Sequence, residues 1–349
     1  MSRSNAQVSP LLKKSNGNGL ESEYRQVDRL SYSSVAQYDK DRVAFYKRYI
    51  LKENDFKETD DTRMGNLVDV LMTDADRFDD YFVITEAKKP TAQLLRFTEL
   101  IFEKRNDYDD FIQVMKYAYE ALAAENGGKV RDKLEKFIDR FNAEARDYYE
   151  ELLNAEGKSV VTLDEKFTAE ESIKKIENCE AFKHKGDVYT KHVILFEYNG
   201  VPLKCEIDEF DVCHEEKVIY LYDYKVTGFV ESFLWQCYLD RRYYIQASLY
   251  KFALQQWAIE NFPGYKVENM AFKVVDMKNY YLPLLYKTTD THFDQGLTGF
   301  YVGKKYYKGV NQLLKEIETS IELNEWRMSI ENFNNKGVIL LPEFTQKED

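Results

Sequence analysis

The stretch "VPLKCEIDEFDVCHEEKVIYLYDYK", residues 201–225, is followed by a helical pattern carrying Gln246 and Tyr250. Apolar and polar residues alternate with period two on both sides of His214–Glu216, the mark of two strands joined by a tight turn. With Glu215 and Glu216 as a two-residue turn, His214 faces Lys217, Asp208 lies opposite Asp223, and Glu206 lies opposite Lys225. Side chains alternate across a strand, so all four leave one face. Directly opposed Cβ atoms stand roughly 5 Å apart, where like charges destabilise a sheet. Two opposed carboxylates make sense with a divalent cation between them and a lysine one step along. A slip of one residue would send the set to the other face, so the expectation is sharp.

The chemistry of such a set is definite. Mg²⁺ or Mn²⁺ takes carboxylate and carbonyl oxygens and keeps several waters. The cation acidifies a bound water and neutralises a scissile phosphate, while a neighbouring lysine orients the water or stabilises the transition state. D-x-K is also frequent by chance, and a surface hairpin with ordinary charges reads the same way. Gln246 and Tyr250 are spaced i, i+4 and share a helix face; alone, they equally describe a solvated glutamine and a core tyrosine. Arg241 and Arg242, near the start of that helix, could meet phosphate or be solvated.

Outward from this stretch, 193–198 reads as a preceding strand joined by an Asn199-Gly200 turn. A single long helix is expected over 232–261, two strands over 267–276 and 281–286, and helix over 296–326. Upstream, a serine N-cap within 31–34 opens a helix carrying Val35, Tyr38, Phe45 and Tyr46. A second helix, 62–73, bears the stripe Met64, Leu67, Val68, Leu71 and Met72. Residues 91–153 read as two or three helices broken at Asn126-Gly127-Gly128, and 162–178 as a strand and a helix with Thr168 and Glu171 as a capping box. The domain reading is a flexible tail at 1–27, a helical part at 28–160, an α/β core at 161–330 and a C-terminal tail at 331–349. In Tyr301–Lys315, Lys304, Lys305, Lys308 and Lys315 mix with Tyr306 and Tyr307. That mixture suits nucleic acid, though a solvated helix start is the plainer reading.

Composition bounds the alternatives. The chain has 349 residues with 44% hydrophobic and 15% aromatic content, enough for a globular core. No run approaches eighteen apolar residues, and the start lacks a signal-type stretch, so a cytoplasmic protein is expected, including the cytoplasm of a phage-infected host. Cys179, Cys205, Cys213 and Cys237 lack C-x-x-C spacing, which argues against structural zinc and iron–sulfur and for ordinary buried thiols. No P-loop and no Ser/His/Asp arrangement is present. The net charge of −12 is awkward for a nucleic-acid enzyme, although a local basic groove can sit in an acidic body.

The order Asp208, Asp223-x-Lys225, Gln246-x-x-x-Tyr250 resembles the PD-(D/E)XK nuclease superfamily, in particular its branch of RecB-type and RecE-like phage exonucleases. Leu30–Ser34 and Met64-Gly65-Asn66-Leu67-Val68-Asp69 are similar to the opening helix and the G-x-x-x-H helix of the RecE-like proteins. The resemblance implies an α/β fold, a restriction-endonuclease-like core with a mixed central sheet flanked by helices and a mostly helical N-terminal part. It implies that Asp208, Asp223 and the Tyr224 carbonyl bind Mg²⁺ or Mn²⁺, that Lys225 serves catalysis, and that Gln246 and Tyr250 support the site. Asp69 stands where the family's histidine ligand is expected, and is otherwise a solvated acid. Glu197 matches an acid sometimes found in relatives, and otherwise faces solvent. The function implied is an exonuclease on linear double-stranded DNA in phage-type recombination or repair. Its expected partners are DNA, further copies of the chain in a homo-oligomer, and a single-strand annealing protein. A nuclease-like protein that binds DNA or a partner without cutting is the alternative.

Overall fold

Residues 24, 26–53, 60–73, 75–90, 92–155, 157–277 and 281–341 are described in this computed structural model. The tail expected at 1–27 lies mostly outside the described residues, as does 342–349. The chain divides into two compact units, Met1–Glu58 with Lys175–Asp349, and Thr59–Lys174.

The first unit opens with α1 (Tyr32–Lys40). Ser31 is its N-cap, and Ser31 and Ser34 satisfy each other's backbone N–H groups in a serine-only capping box. Val35 and Tyr38 are buried, and the Tyr38 hydroxyl meets Ser320 Oγ at 2.8 Å, tying α1 to the last long helix of the same unit.

The second unit runs α2 (Asp60–Thr73), β1 (Phe82–Thr85), α3 (Ala92–Lys104), α4 (Phe111–Glu125), α5 (Leu134–Arg140), α6 (Arg146–Asn154) and β2 (Ser159–Thr162), with α7 (Leu163–Glu177) leading out of it. β1 and β2 pair in parallel, which requires a long crossover, and α3–α6 supply it. Phe97, Ile101, Met115, Leu122, Phe137 and Phe141 form its core. The break comes at Asn126-Gly127-Gly128 as expected, with both glycines at positive φ. The capping box falls at Thr162 and Glu165 rather than Thr168 and Glu171, because β2 ends on Thr162 and leaves its backbone to be capped.

The first unit resumes with β3 (Asp187–Tyr198), β4 (Val201–Cys213), β5 (Val218–Thr227), α8 (Tyr243–Asn261), β6 (Lys266–Val267), β7 (Ala271–Asp276), β8 (Leu284–Lys287), α9 (Asp290–Thr298), β9 (Phe300–Val302), β10 (Lys305–Tyr307) and α10 (Val310–Leu323). The sheet runs β3-β4-β5-β7-β8, antiparallel except for the parallel β5/β7 pair, with β6 also parallel to β5. The parallel pair needs a crossover, and α8 provides it, so α8 lies on the sheet. Every residue from Tyr243 to Lys251 is buried, because α8 is covered on its other side as well.

Two expectations change here. The helix expected over 232–261 is broken: a π-helical turn, Leu234–Leu239, is followed by a turn through Arg242, which adopts left-handed φ 59° before α8 begins. The helix expected over 296–326 is a helix, a hairpin and a helix, because Gly299 and Gly303 take positive φ and the aromatic run between pairs across β9/β10. Tyr301 and Tyr306 are therefore cross-strand neighbours on that hairpin.

Gly296 is where α9 crosses α8. A Cβ there would stand 2.0 Å from Ser248 Oγ and 2.4 Å from the Tyr244 carbonyl oxygen. Backbone cannot yield as a side chain can, so the helices would have to part. Gly296→Ala is expected to destabilise the fold by about 1–3 kcal/mol, read as a lower urea midpoint with an unchanged slope.

Candidate active site

The β4/β5 ladder holds the expected register, from Cys213↔Val218 to Glu209↔Tyr222, with His214–Lys217 as its turn. It stops one pair short of Asp208 and Asp223. β4 stays with β3, while β5 goes on with β7 from Tyr222↔Ala271 to Thr227↔Asp276. The two strands thus fork. In the fork Asp208 Oδ2 accepts the Tyr224 backbone N–H at 3.2 Å, replacing the carbonyl that a continued ladder would have offered. A residue's N–H and C=O leave the same edge of an extended strand, so the Tyr224 carbonyl faces the same gap.

The side chains converge from three elements. Lys225 Nζ forms an ion pair with Asp223 Oδ2 and lies 4.6 Å from the Tyr243 ring centre. Gln246 on α8 donates Nε2–H to Asp223 Oδ1 at 2.5 Å. Tyr250 is buried one turn further on, its hydroxyl raised above its ordinary pKa by burial first and by charges that include Asp223 and Asp208. Glu206 does not face Lys225 as expected. Past the fork no β4/β5 register remains, and Glu206 is opposite Val193 on β3.

Lys191 joins this set without having been singled out from the sequence. It sits on β3 at left-handed φ 48°, between Thr190↔Glu209 and His192↔Ile207, and Nζ donates to Asp208 Oδ1 at 3.0 Å. The one signal for it was its position across the 193–212 hairpin from Asp208, once that strand is extended backwards.

Burial pushes Asp223 up to about 7; the adjacent Asp208 charge adds to this and Lys225 opposes it. Burial also works against ionised Asp208, but Lys191, Lys225 and the Tyr224 amide outweigh it and hold the acid below the usual carboxylate range. Lys225 is likewise disfavoured by burial, yet the charges of Asp223 and Asp208 raise its pKa. Two carboxylates pushed apart in this way are the signature of a site short of positive charge.

A divalent cation fits that need. The donor set is all hard oxygen: two carboxylates and the Tyr224 carbonyl. Gln246 Oε1 is buried with no hydrogen-bond partner, and Asp223 Oδ2 meets Lys225 without hydrogen-bond angles. A buried amide oxygen without a partner, as at Gln246, marks a place for a cation or water. A second cluster, His184, Glu209 and Asp211, also brings three ligand atoms within 4.8 Å. Its oxygens are engaged as those of the fork are, Glu209 by Lys273 at 2.5 Å and the Tyr224 hydroxyl at 2.6 Å, and Asp211 by the Lys185 amide at 2.8 Å, but among the described residues it has no partnerless buried oxygen such as Gln246 Oε1 beside it. The fork is the better cation site.

The sequence model of the PD-(D/E)XK nuclease superfamily matches residues 29–275, which include the fork and its helix. The chain belongs to this superfamily. Among solved structures it is similar to one from Eubacterium rectale described as a "putative exonuclease", at TM-score 0.48 and 10% identity, covering 95% of this chain and 97% of that one. No curated protein matches the chain.

For the PD-(D/E)XK core, the structure thus brings together Asp208, Asp223, Tyr224, Lys225, Gln246 and Tyr250. Glu197 is not among them. It is exposed and faces Pro202, six residues along β4 from Asp208, or about 20 Å at 3.3 Å per residue. Arg242 is committed to the fold, donating Nε–H to Asp39 Oδ2 at 2.8 Å in a largely buried pair. Arg241 is exposed. Asp69 lies half-buried on α2, in the other unit, and its assignment rests on the sequence resemblance. Of the cysteines, Cys205 and Cys237 are buried, Cys179 and Cys213 only partly, and all four are free thiols. Among the described residues no helix is long and apolar enough to cross a membrane.

Proposed function

We propose that this nuclease is a Mg²⁺- or Mn²⁺-dependent deoxyribonuclease, an exonuclease acting on linear double-stranded DNA in phage-type recombination or repair. The observation that carries the reading is the fork: a buried and a half-buried carboxylate, a backbone carbonyl and an ion-paired lysine at one gap in the sheet. Asp208, Asp223 and the Tyr224 carbonyl would hold the cation, with Asp69 proposed as a further ligand in place of the family's histidine. Bound there, the cation would supply an acidified water and charge neutralisation at the phosphate.

The rest is the work of the chain's own groups. Lys191 holds Asp208 ionised and oriented. Gln246 fixes the rotation of the Asp223 carboxylate, leaving Oδ2 toward Lys225. The Lys225 ammonium, held against Tyr243, places a proton donor beside the carboxylates where an attacking water or phosphate oxygen would lie. DNA is the partner this reading requires, and a homo-oligomer and a single-strand annealing protein are its further proposed partners.

The test is digestion of linear against covalently closed circular DNA of one sequence, with Mg²⁺, with Mn²⁺ and with chelator. Loss of linear DNA only, and only with metal, is the expected result. Equal cutting of the circle would make the protein an endonuclease. No cutting of either form, together with no calorimetric Mn²⁺ binding at millimolar metal, would favour a nuclease-like binding protein instead.

A further inference from the structure

The β9/β10 hairpin is a part of the fold that the hydrolytic site does not use. Its register pairs Phe300 with Tyr307, Tyr301 with Tyr306 and Val302 with Lys305, and Gly303 and Lys304 make the turn. Opposed residues share a face and successive pairs alternate, so the first and last pairs point one way and the tyrosine pair points the other. The first face packs on the fold. Phe300 and Tyr307 stack with ring centres 5.3 Å apart, Tyr244 meets both edge-on, and its hydroxyl donates to the Lys308 carbonyl at 3.2 Å. Tyr244 follows Tyr243, which carries the Lys225 ammonium, and stands two residues before Gln246. The hairpin is therefore rooted on the helix that supplies the site. On the second face Tyr301 and Tyr306 lie against each other, ring centres 4.9 Å apart, and are 70% and 40% exposed. The Tyr306 hydroxyl donates to the Thr298 carbonyl at 3.3 Å, which steadies the pair.

Charge decides what such a pair can meet. From Gln295 to Lys315 the sequence has Lys304, Lys305, Lys308 and Lys315 and no acid, in a chain whose net charge is −12. Lys308 is committed to Glu316 at 2.7 Å. Lys304 and Lys305 are exposed and form no ion pair among the described residues, and Lys305 Nζ lies 4.8 Å from the Tyr307 ring centre. A cationic tip left without counter-charge on an acidic protein suits a polyanion. The exposed rings beside it select a polyanion with flat, uncharged groups between its charges, which is a nucleic acid whose bases are open to stacking. In a duplex those faces are covered by their neighbours.

We propose that the β9/β10 hairpin holds a single strand, with bases stacked on Tyr301 and Tyr306 and phosphates at Lys304 and Lys305. The choice of DNA rests on the nuclease reading, to which the hairpin adds a grip on a strand that has already left the duplex.

The test is anisotropy of labelled dT12, titrated with the full chain in chelator so that metal-dependent cutting is off. Binding is expected, with a blunt-ended hairpin duplex a poor competitor. Tyr301→Ala should weaken it roughly 5- to 100-fold, the range for losing one stacked base, and Tyr301→Trp should restore it. Lys304→Ala combined with Lys305→Ala should flatten the slope of log affinity against log salt by about 1.4, as two lost phosphate contacts on a single strand would. A merely structural role would leave that slope alone. No binding of dT12 by the wild type, unchanged affinity in Tyr301→Ala, an unchanged salt slope, or equal competition by the duplex would each overturn the proposal. So would a wild-type dimer that Tyr301→Ala dissolves without altering dT12 affinity, which would give the tyrosine pair to a second copy of the chain. Digestion of linear DNA with metal is measured alongside. Digestion with no effect of the variants on dT12 overturns the hairpin contact alone, whereas variant-sensitive dT12 binding without digestion supports it and overturns the nuclease reading.

Discussion

Asp223→Asn is expected to remove metal-dependent DNA hydrolysis while leaving the protein folded. The substitution keeps the size of a side chain that is 1% exposed, and Gln246 can still donate to the remaining oxygen. What it removes is the carboxylate charge that pairs with Lys225 and that the proposed cation would need. Charge stabilisation by a metal at a phosphate is worth several kcal/mol, so the loss in kcat/KM should be roughly 10³-fold or more. Lys225→Ala should lower kcat comparably with metal binding retained, because an ammonium would not serve as a ligand to the proposed cation. The stability readout separates function from architecture. Asp223 is an acid that burial and the neighbouring Asp208 hold far above its ordinary pKa, so its charge is a strain on the folded state. Asparagine relieves repulsion with Asp208 but leaves Lys225 with one fewer partner. The melting temperature should therefore stay close to that of the wild type. A variant that cuts DNA at the wild-type rate, or one that loses activity only by unfolding, would remove Asp223 from the chemistry.

How much of this was legible in the sequence follows from which interactions are local. The hairpin was readable because period-two alternation and turn length fix a register together, and Cys213↔Val218 to Glu209↔Tyr222 keeps it. The fork was not, because whether Asp208 continues a ladder depends on β7 drawing β5 away, a pairing contributed from some fifty residues downstream. Lys191 escaped for a similar reason. Its left-handed backbone turns the side chain toward Asp208, and nothing in the pattern of a strand marks a lysine for that conformation. Arg242 shows the converse. Two arginines before a helix looked available to phosphate, but a left-handed residue breaks the expected helix there, and the guanidinium turns to Asp39. Gln246 was the favourable case, since helix spacing and the β5–α8–β7 crossover together bring it to Asp223.

Lys273→Met is expected to be the most destabilising single substitution in the sheet. Lys273 sits in the middle of β7, fully buried, where the sequence around it reads as a plain apolar strand. Its ammonium donates to Glu209 Oε1 at 2.5 Å, to the Phe182 carbonyl at 3.2 Å and to the Tyr224 hydroxyl at 3.3 Å, and lies 4.2 Å from the Tyr222 ring centre. Methionine keeps the length of the stem and deletes the charge. Glu209, itself 3% exposed, would then be left beside Asp211, another buried acid that burial already raises. Stranding one member of a buried pair costs about 3–5 kcal/mol, more than the pair contributes when intact. The effect should reach the active site, because Glu209 adjoins Asp208 on β4 and Tyr224 adjoins both Asp223 and Lys225 on β5. Adding Glu209→Gln to Lys273→Met removes the stranded charge and should recover most of the loss in urea unfolding, a coupling that additive single effects would not give. Lys273→Met unfolding within 1 kcal/mol of the wild type would mean that the Glu209 carboxylate reaches water, and that the opposite face of the fork is far less rigid than its hydrogen bonds imply.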